Sequence, residues 1–67
     1  MSLEELERQR LFSIIAYSDL MSPVQARVIY VSEYGDIALE KVRKLFIELA
    51  DEGWIERVSR GVYRRAA

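Results

Sequence analysis

Apolar residues recur along this chain at the spacing of amphipathic helices, and the breaks between them predict three helices followed by a β-hairpin. The first helix is predicted over about residues 2–19. Ser2 with Glu5 three residues later is a capping-box pattern, and apolar positions from Leu3 to Ile15 follow it. Its first two turns are rich in charge and its second half is almost entirely apolar, so the second half is expected to enter the core.

A second helix is predicted over about residues 23–34. Ser22 is a typical N-cap, and Pro23 suits the first helical position, where its missing N–H costs nothing. Gly35 is expected to end this helix, as glycine commonly does just after a last turn.

The clearest helical pattern covers about residues 38–52, which predicts a third helix. Gly53 stops it, and Asp36 is expected to cap its start. Its apolar positions follow helical spacing and predict a buried stripe: Ala38, Val42, Leu45, Phe46 and Leu49.

The last elements predicted are two short β-prone runs within about residues 54–65. Ser59-Arg60-Gly61 separates them and is typical of a three-residue hairpin loop with glycine at the left-handed position. Trp54 and Tyr63 are expected to plug the core between the hairpin and the third helix. Residues 1–67 are therefore expected to form a single α+β, mainly helical domain.

The distribution of charge changes this picture more than its sum does. The net charge is −1, but residues 1–40 carry seven acids and three bases, whereas residues 41–67 carry seven bases and four acids. The positive face therefore belongs to the third helix and the hairpin.

Asn, Thr, His and Cys are absent from the sequence, a composition that favours a thermophilic source.

The order of elements and the stretch from Val42 to Ile55 carry a family resemblance. That stretch has a valine, two basic residues, apolar core positions, an acidic run, Gly53 and two apolar residues. From Ser22 to Arg65 the chain resembles the winged helix-turn-helix superfamily, of the small prokaryotic or archaeal regulator type. The resemblance implies a three-helix winged helix-turn-helix in which the third helix recognises DNA and the hairpin forms the wing.

On the third helix, the outward face is predicted to hold Glu40, Arg43, Lys44, Ile47 and Asp51. In a helix-turn-helix this face enters the major groove, so Arg43 and Lys44, with Lys41 beside them, are the predicted DNA contacts. The alternative is that these cations only solvate the helix and pair with acids four residues away. Ile47 would contact a thymine methyl, a protein partner or the wing.

The predicted wing carries the highest local density of positive charge. Arg57, Arg60, Arg64 and Arg65 face only one acid, Glu56, and are expected to follow phosphates or enter a minor groove. The alternative is that these charges only protect an exposed β edge from pairing with another chain. Arg27, on the second helix, is expected to steady the complex through a phosphate.

The residue inventory argues against catalysis. Without histidine or cysteine, and without a glycine-rich phosphate loop, no enzyme, metal site or cofactor is predicted. A cytoplasmic location is expected, because the acidic start and the absence of a long apolar run fit neither a signal peptide nor a membrane span.

The function predicted from these features is sequence-specific binding of double-stranded DNA by a transcriptional regulator. A homodimer through the apolar side of the first helix is expected, because two copies could address a two-fold site. The alternative is a protein-interaction winged helix that acts as an adaptor or assembly subunit and uses Ile47 and the acidic N-terminal half.

Overall fold

A computed structural model describes residues 1–67 and shows three helices followed by one antiparallel hairpin. The elements in chain order are α1 (Leu3–Ala16), α2 (Pro23–Tyr34), α3 (Leu39–Asp51), β1 (Ile55–Ser59) and β2 (Val62–Arg65). This mainly helical α+β arrangement confirms the predicted fold class. None of the three helices has the length and apolar character that crossing a bilayer requires.

Helix α1 begins where the sequence predicts and ends earlier. The Ser2 hydroxyl accepts a hydrogen bond from the Glu5 amide at 3.1 Å. At the other end the helix stops at Ala16 instead of about residue 19. The Ser18 amide and the Ser18 hydroxyl both donate to the carbonyl of Ile15, at 3.1 and 3.0 Å, and so satisfy this carbonyl where the helix ends.

Helix α2 has the predicted bounds and a complete capping box. The Gln25 amide donates to the Ser22 hydroxyl, and the Gln25 side chain accepts from the Ser22 amide, each at 3.2 Å. The C-cap is Gly35, as predicted. These local contacts explain why the boundaries of α2 could be predicted from sequence.

The start of α3 differs from the prediction, because Asp36 is not its cap. The N-cap is Ala38, which makes no side-chain capping bond. The Asp36 carboxylate instead lies 3.5 Å from the Arg27 guanidinium, a partner on the preceding helix. A tertiary ion pair therefore replaced the local bond that the sequence suggested.

The hairpin forms over the predicted residues but with a tighter turn. Ser59 pairs with Val62, so only Arg60 and Gly61 remain between the strands, and the predicted three-residue loop is wrong. The register shifts between Arg57 and Ser59, so Val58 is an extra, bulged residue. Gly61 adopts φ +73°, which confirms that the turn needs a left-handed residue there.

One backbone contact anchors the hairpin to the helices. Met21, between α1 and α2, forms an isolated bridge with Tyr63 of β2. The Met21 amide donates to the Tyr63 carbonyl at 2.8 Å, and the Tyr63 amide donates back at 2.9 Å. A single bridging residue has no periodicity, so the sequence pattern could not reveal it.

The core lies where the three helices and β1 meet. It consists of twelve buried apolar residues: Leu11, Ile14, Ile15, Met21, Ala26, Tyr30, Ile37, Val42, Leu45, Phe46, Leu49 and Ile55. Tyr63 packs at its edge, with its ring 5.2 Å from that of Phe46 in an edge-to-face arrangement. Trp54 is 56% exposed, so the expectation that it plugs the core is wrong. It packs edge-to-face against Phe12 instead.

Candidate nucleic-acid interface

The hairpin carries four arginines between its base and its turn, and three of them have no carboxylate partner. Arg64 lies opposite Glu56 in the strand register, and its Nε is 2.5 Å from the Glu56 carboxylate. Arg57, Arg60 and Arg65 make no ion pair, and all three are exposed. Arg57 makes only a backbone contact, from its Nε to the Ser59 carbonyl at 3.3 Å.

This geometry leaves the wing with more positive charge than its own acid can compensate. The arginines lie on a two-stranded ribbon with a short turn, and the Met21–Tyr63 bridge joins that ribbon to the connection between α1 and α2. Guanidinium groups held in this way can bind phosphate oxygens in bidentate fashion. The wing is therefore suited to an extended polyanion.

The outward surface of α3 holds the residues that its periodicity predicts: Glu40, Arg43, Lys44, Ile47 and Asp51 are all exposed. Its formal charge is zero, because two cations are balanced by two acids. Arg43 makes no ion pair, whereas the Lys44 Nζ lies 3.8 Å from Glu48 and 3.9 Å from Glu4. Ile47 is 56% exposed in the middle of this surface.

Lys41 faces α1 and not the solvent side of α3. Its Nζ lies 3.4 Å from the Glu7 carboxylate and 3.6 Å from that of Glu4. The Glu7 carboxylate raises the pKa of Lys41 above its ordinary value, chiefly through hydrogen bonding. Glu7 is the one buried charged residue of the chain, so Lys41 supplies the compensating charge that a buried acid requires.

Arg8 completes a network of ion pairs between α1 and α3. It contacts the Glu52 carboxylate directly and lies 3.5 Å from Glu48. The hydrogen bond between Arg8 and Glu52 lowers the pKa of Glu52 and raises the pKa of Arg8. The sequence interpretation missed this network because its partners lie far apart in the chain. The only signal for these ion pairs in the sequence was that the first two turns of α1 and the helix α3 both carry charged residues of opposite sign.

Arg27 is also engaged within the molecule. Its Nε donates to the carbonyl of Ile37 at 2.7 Å, and its guanidinium pairs with Asp36. Both partners lie in the connection between α2 and α3, so Arg27 links α2 to this connection. Its predicted contact with a phosphate stays a prediction, and it would have to use the N–H groups that remain free.

The apolar side of α1, which the sequence suggested as a dimer surface, lies in the core. Leu11 and Ile15 are fully buried, and Ile14 is 8% exposed. The large apolar side chains of the helix and its C-cap that remain exposed are Leu3 and Tyr17, at opposite ends. The homodimer through α1 therefore stays a prediction, and it would have to use the partly exposed side chains of Leu6 and Phe12.

Comparison with protein-family models, with curated proteins and with solved structures finds no match for this chain.

Proposed function

We propose that this protein binds double-stranded DNA and regulates transcription, with the wing on the phosphate backbone and α3 in the major groove. The observation that carries the proposal is the set of unpaired, exposed arginines spaced along the anchored hairpin: Arg57, Arg60 and Arg65. Charge that is neutralised within a protein gains little from phosphate, whereas these three groups can each release a counterion from DNA.

The two parts of the interface have different tasks in this proposal. The wing supplies most of the electrostatic attraction, because the outward surface of α3 is neutral. Arg43 is the cation on α3 that is free to meet a guanine edge, and Ile47 could contact a thymine methyl. Affinity would therefore depend mainly on the wing, and base preference on α3.

Lys41, Lys44 and Arg27 have smaller parts. Each is already paired with a carboxylate, and breaking those pairs would offset part of the gain from a phosphate contact. Four cations then remain free for DNA, namely the three unpaired wing arginines and Arg43, which can meet a phosphate on a random duplex that lacks its preferred base.

The proposal predicts a moderate salt dependence. With a slope of about −0.9 per neutralised phosphate, four contacts give a slope of about −3.6 in a plot of log affinity against log salt. Between 50 and 200 mM salt the affinity for random duplex DNA should therefore fall by about 150-fold. Fluorescence anisotropy with a labelled random duplex measures this directly.

Matched substitutions distinguish the contribution of the wing arginines from the effect of the protein's total charge. Arg60→Gln and Arg10→Gln each remove one positive charge, but Arg10 lies on α1, where it stacks on the ring of Tyr34. We expect Arg60→Gln to reduce the salt slope by about one, Arg60→Gln/Arg65→Gln by about two, and Arg10→Gln to leave it unchanged. Circular dichroism confirms that each variant is folded. No binding at 50 mM salt, or equal losses for Arg60→Gln and Arg10→Gln, would refute the proposal.

Base preference is tested separately by selecting bound sequences from a random duplex pool. Arg43→Ala should relax the preference at one position, at a cost of about 1–3 kcal/mol on the selected site, while binding to random duplex persists. An unselective pool with the wild-type protein would reject sequence specificity but not DNA binding.

A second function is favoured by a different observation. Ile47 is an exposed branched apolar side chain at the centre of a neutral surface, which is an arrangement that suits a protein partner. In this alternative the chain is an adaptor or assembly subunit that binds a protein through Ile47, the acidic N-terminal half and exposed aromatic residues. Ile47→Ser would then abolish the association while Arg60→Gln would leave it unchanged.

A further inference from the structure

An exposed tryptophan lines a cleft between α1 and the end of α3. Trp54 is 56% exposed, and its ring meets that of half-buried Phe12 edge-to-face, with the centroids 5.8 Å apart. The cleft has a volume of about 340 Å³ and is lined by six residues: Glu5, Arg8, Gln9, Phe12, Leu49 and Trp54. We call it the Trp54 cleft. Its volume is at the lower end of the range for ligand pockets, so it has room for one long side chain but not for a helix.

Carboxylates outnumber cations around the Trp54 cleft. Glu5 is exposed and makes no ion pair. Arg8 is the one cation that lines the cleft, and it is shared between two carboxylates, those of Glu48 and Glu52. A hydrogen bond from Arg8 is the main cause of the lowered pKa of Glu52, and the Trp54 side chain adds to it, so this carboxylate lies beside the indole.

The ion pairs between α1 and α3 do not cancel this negative charge. The cleft and the network joined to it contain five carboxylates and three cations, a net charge of −2: Glu4, Glu5, Glu7, Glu48 and Glu52 against Arg8, Lys41 and Lys44. A ligand of the cleft should therefore be positively charged.

We propose that the Trp54 cleft binds an arginine or lysine side chain of a partner protein. The alkyl stem of that side chain packs against Phe12 and Leu49, and its charged end lies against the indole and beside Glu5. Tryptophan is the aromatic side chain that attracts a cation most strongly. Since its neighbours already hold Trp54 in place, little conformational freedom is lost when the partner binds.

Two other occupants fit the cleft less well. A nucleic acid would bring phosphates towards a net charge of −2. A second copy of this chain would have to insert a wing arginine. Because the wing and the cleft are different surfaces, such a contact is heterologous and tends to produce open chains of molecules. A separate protein with a basic residue among apolar ones is therefore the favoured partner. The site requires neither the proposed DNA contacts nor Ile47.

Fluorescence can follow the cleft without a label, because Trp54 is the only tryptophan of the chain. We expect a hexapeptide of alternating leucine and arginine to shift the Trp54 emission in a saturable titration at low salt. Two matched hexapeptides, with glutamine or glutamate in place of arginine, keep the apolar residues. They should bind with about tenfold lower affinity or less, because they lack the ion pair and the cation–π contact.

Matched variants locate the binding. Glu5→Gln should weaken the arginine peptide by about two- to fivefold, and glutamine preserves the capping box with Ser2. Glu33→Gln is the control, since Glu33 is also exposed and unpaired but lies on α2. Glu33→Gln and Ile47→Ser should bind like the wild type. Trp54→Ala, measured by calorimetry because the fluorophore is lost, should weaken binding by about tenfold or more. Circular dichroism checks that each variant is folded.

Several outcomes would overturn the proposal. They are no saturable change with the arginine peptide up to about 1 mM, equal affinities for the arginine and glutamine peptides, and equal losses for Glu5→Gln and Glu33→Gln. Self-association that Trp54→Ala abolishes would identify a second copy as the occupant instead. Duplex binding that Trp54→Ala weakens as much as Arg60→Gln does would identify a nucleic acid. A failure of DNA binding changes none of the peptide measurements, so the two proposals can fail separately.

Discussion

The contact between Phe46 and Tyr63 joins α3 to the wing. Replacing Phe46 by a smaller side chain should therefore destabilise the whole domain. Phe46 is fully buried, and its ring meets that of Tyr63 edge-to-face at 5.2 Å. Tyr63 also carries both hydrogen bonds of the bridge to Met21. Phe46→Leu keeps the site apolar but removes the aromatic pair and some volume.

The expected cost follows from two contributions. An aromatic pair of this geometry contributes about 0.5–1.5 kcal/mol beyond the area that it buries. The smaller side chain leaves a gap of about 25 Å³, which costs about 0.6 kcal/mol at 24 cal/mol per Å³. The free energy of unfolding should therefore fall by about 1–2 kcal/mol. Since one kcal/mol shifts Tm by about 4–8 °C in a domain of this size, Tm should drop by roughly 5–15 °C.

Thermal and urea unfolding followed by circular dichroism measure this loss, with Phe12→Leu as the control. Phe12 makes the same kind of edge-to-face contact with Trp54, but Phe12 is half-buried and Trp54 is exposed. Phe12→Leu should therefore cost less than half as much. Equal losses at the two positions, or a Tm change below about 2 °C for Phe46→Leu, would refute the argument that the wing is held through the core.

Three further predictions concern local contacts. Glu52→Gln should remove part of the acid sensitivity of unfolding: the Arg8 contact lowers the pKa of Glu52 below its ordinary 4.5, so this stabilisation is present above pH 4.5 and is lost as pH falls through the lowered value. Acid titrations of the two proteins that superimpose would contradict this. Ser22→Ala should cost about 1 kcal/mol in urea unfolding, because it removes the capping box with Gln25, and no change in midpoint would count against it. Gly61→Ala should cost about 1–2 kcal/mol, since φ is +73° there although space is free for a Cβ; an unchanged Tm would show that the turn relaxes.

The elements that the sequence predicted well are those defined by local signals. Helix α2 has the predicted bounds because Ser22, Pro23 and Gly35 lie within or next to it. The early end of α1 and the bulge at Val58 were not predicted, because the sequence has no glycine or proline that marks either position.

The candidate interface was predicted in part for the same reason. Exposure of Arg43 and Ile47 follows from the periodicity of α3 alone. The pairing of Lys41 with Glu7 does not, since it depends on how α1 crosses α3. Trp54 was misplaced because its hydrophobicity predicts burial, but the chain after Gly53 turns its ring towards the outside of Phe12.

The sequence by itself determined which segments form helices and strands and which end of the chain is positive. Capping, periodicity and charge density each depend on residues that are close together in the chain, so they can be recognised from the sequence. The tertiary structure decided which cations stay free and which apolar residues remain uncovered. Lys41 has a carboxylate nearby in space, whereas Arg57, Arg60 and Arg65 have none, and Val24, Val28 and Val31 are exposed because α1 and α3 pack on the other side of α2. Both distinctions are set by contacts between residues that are distant in the chain.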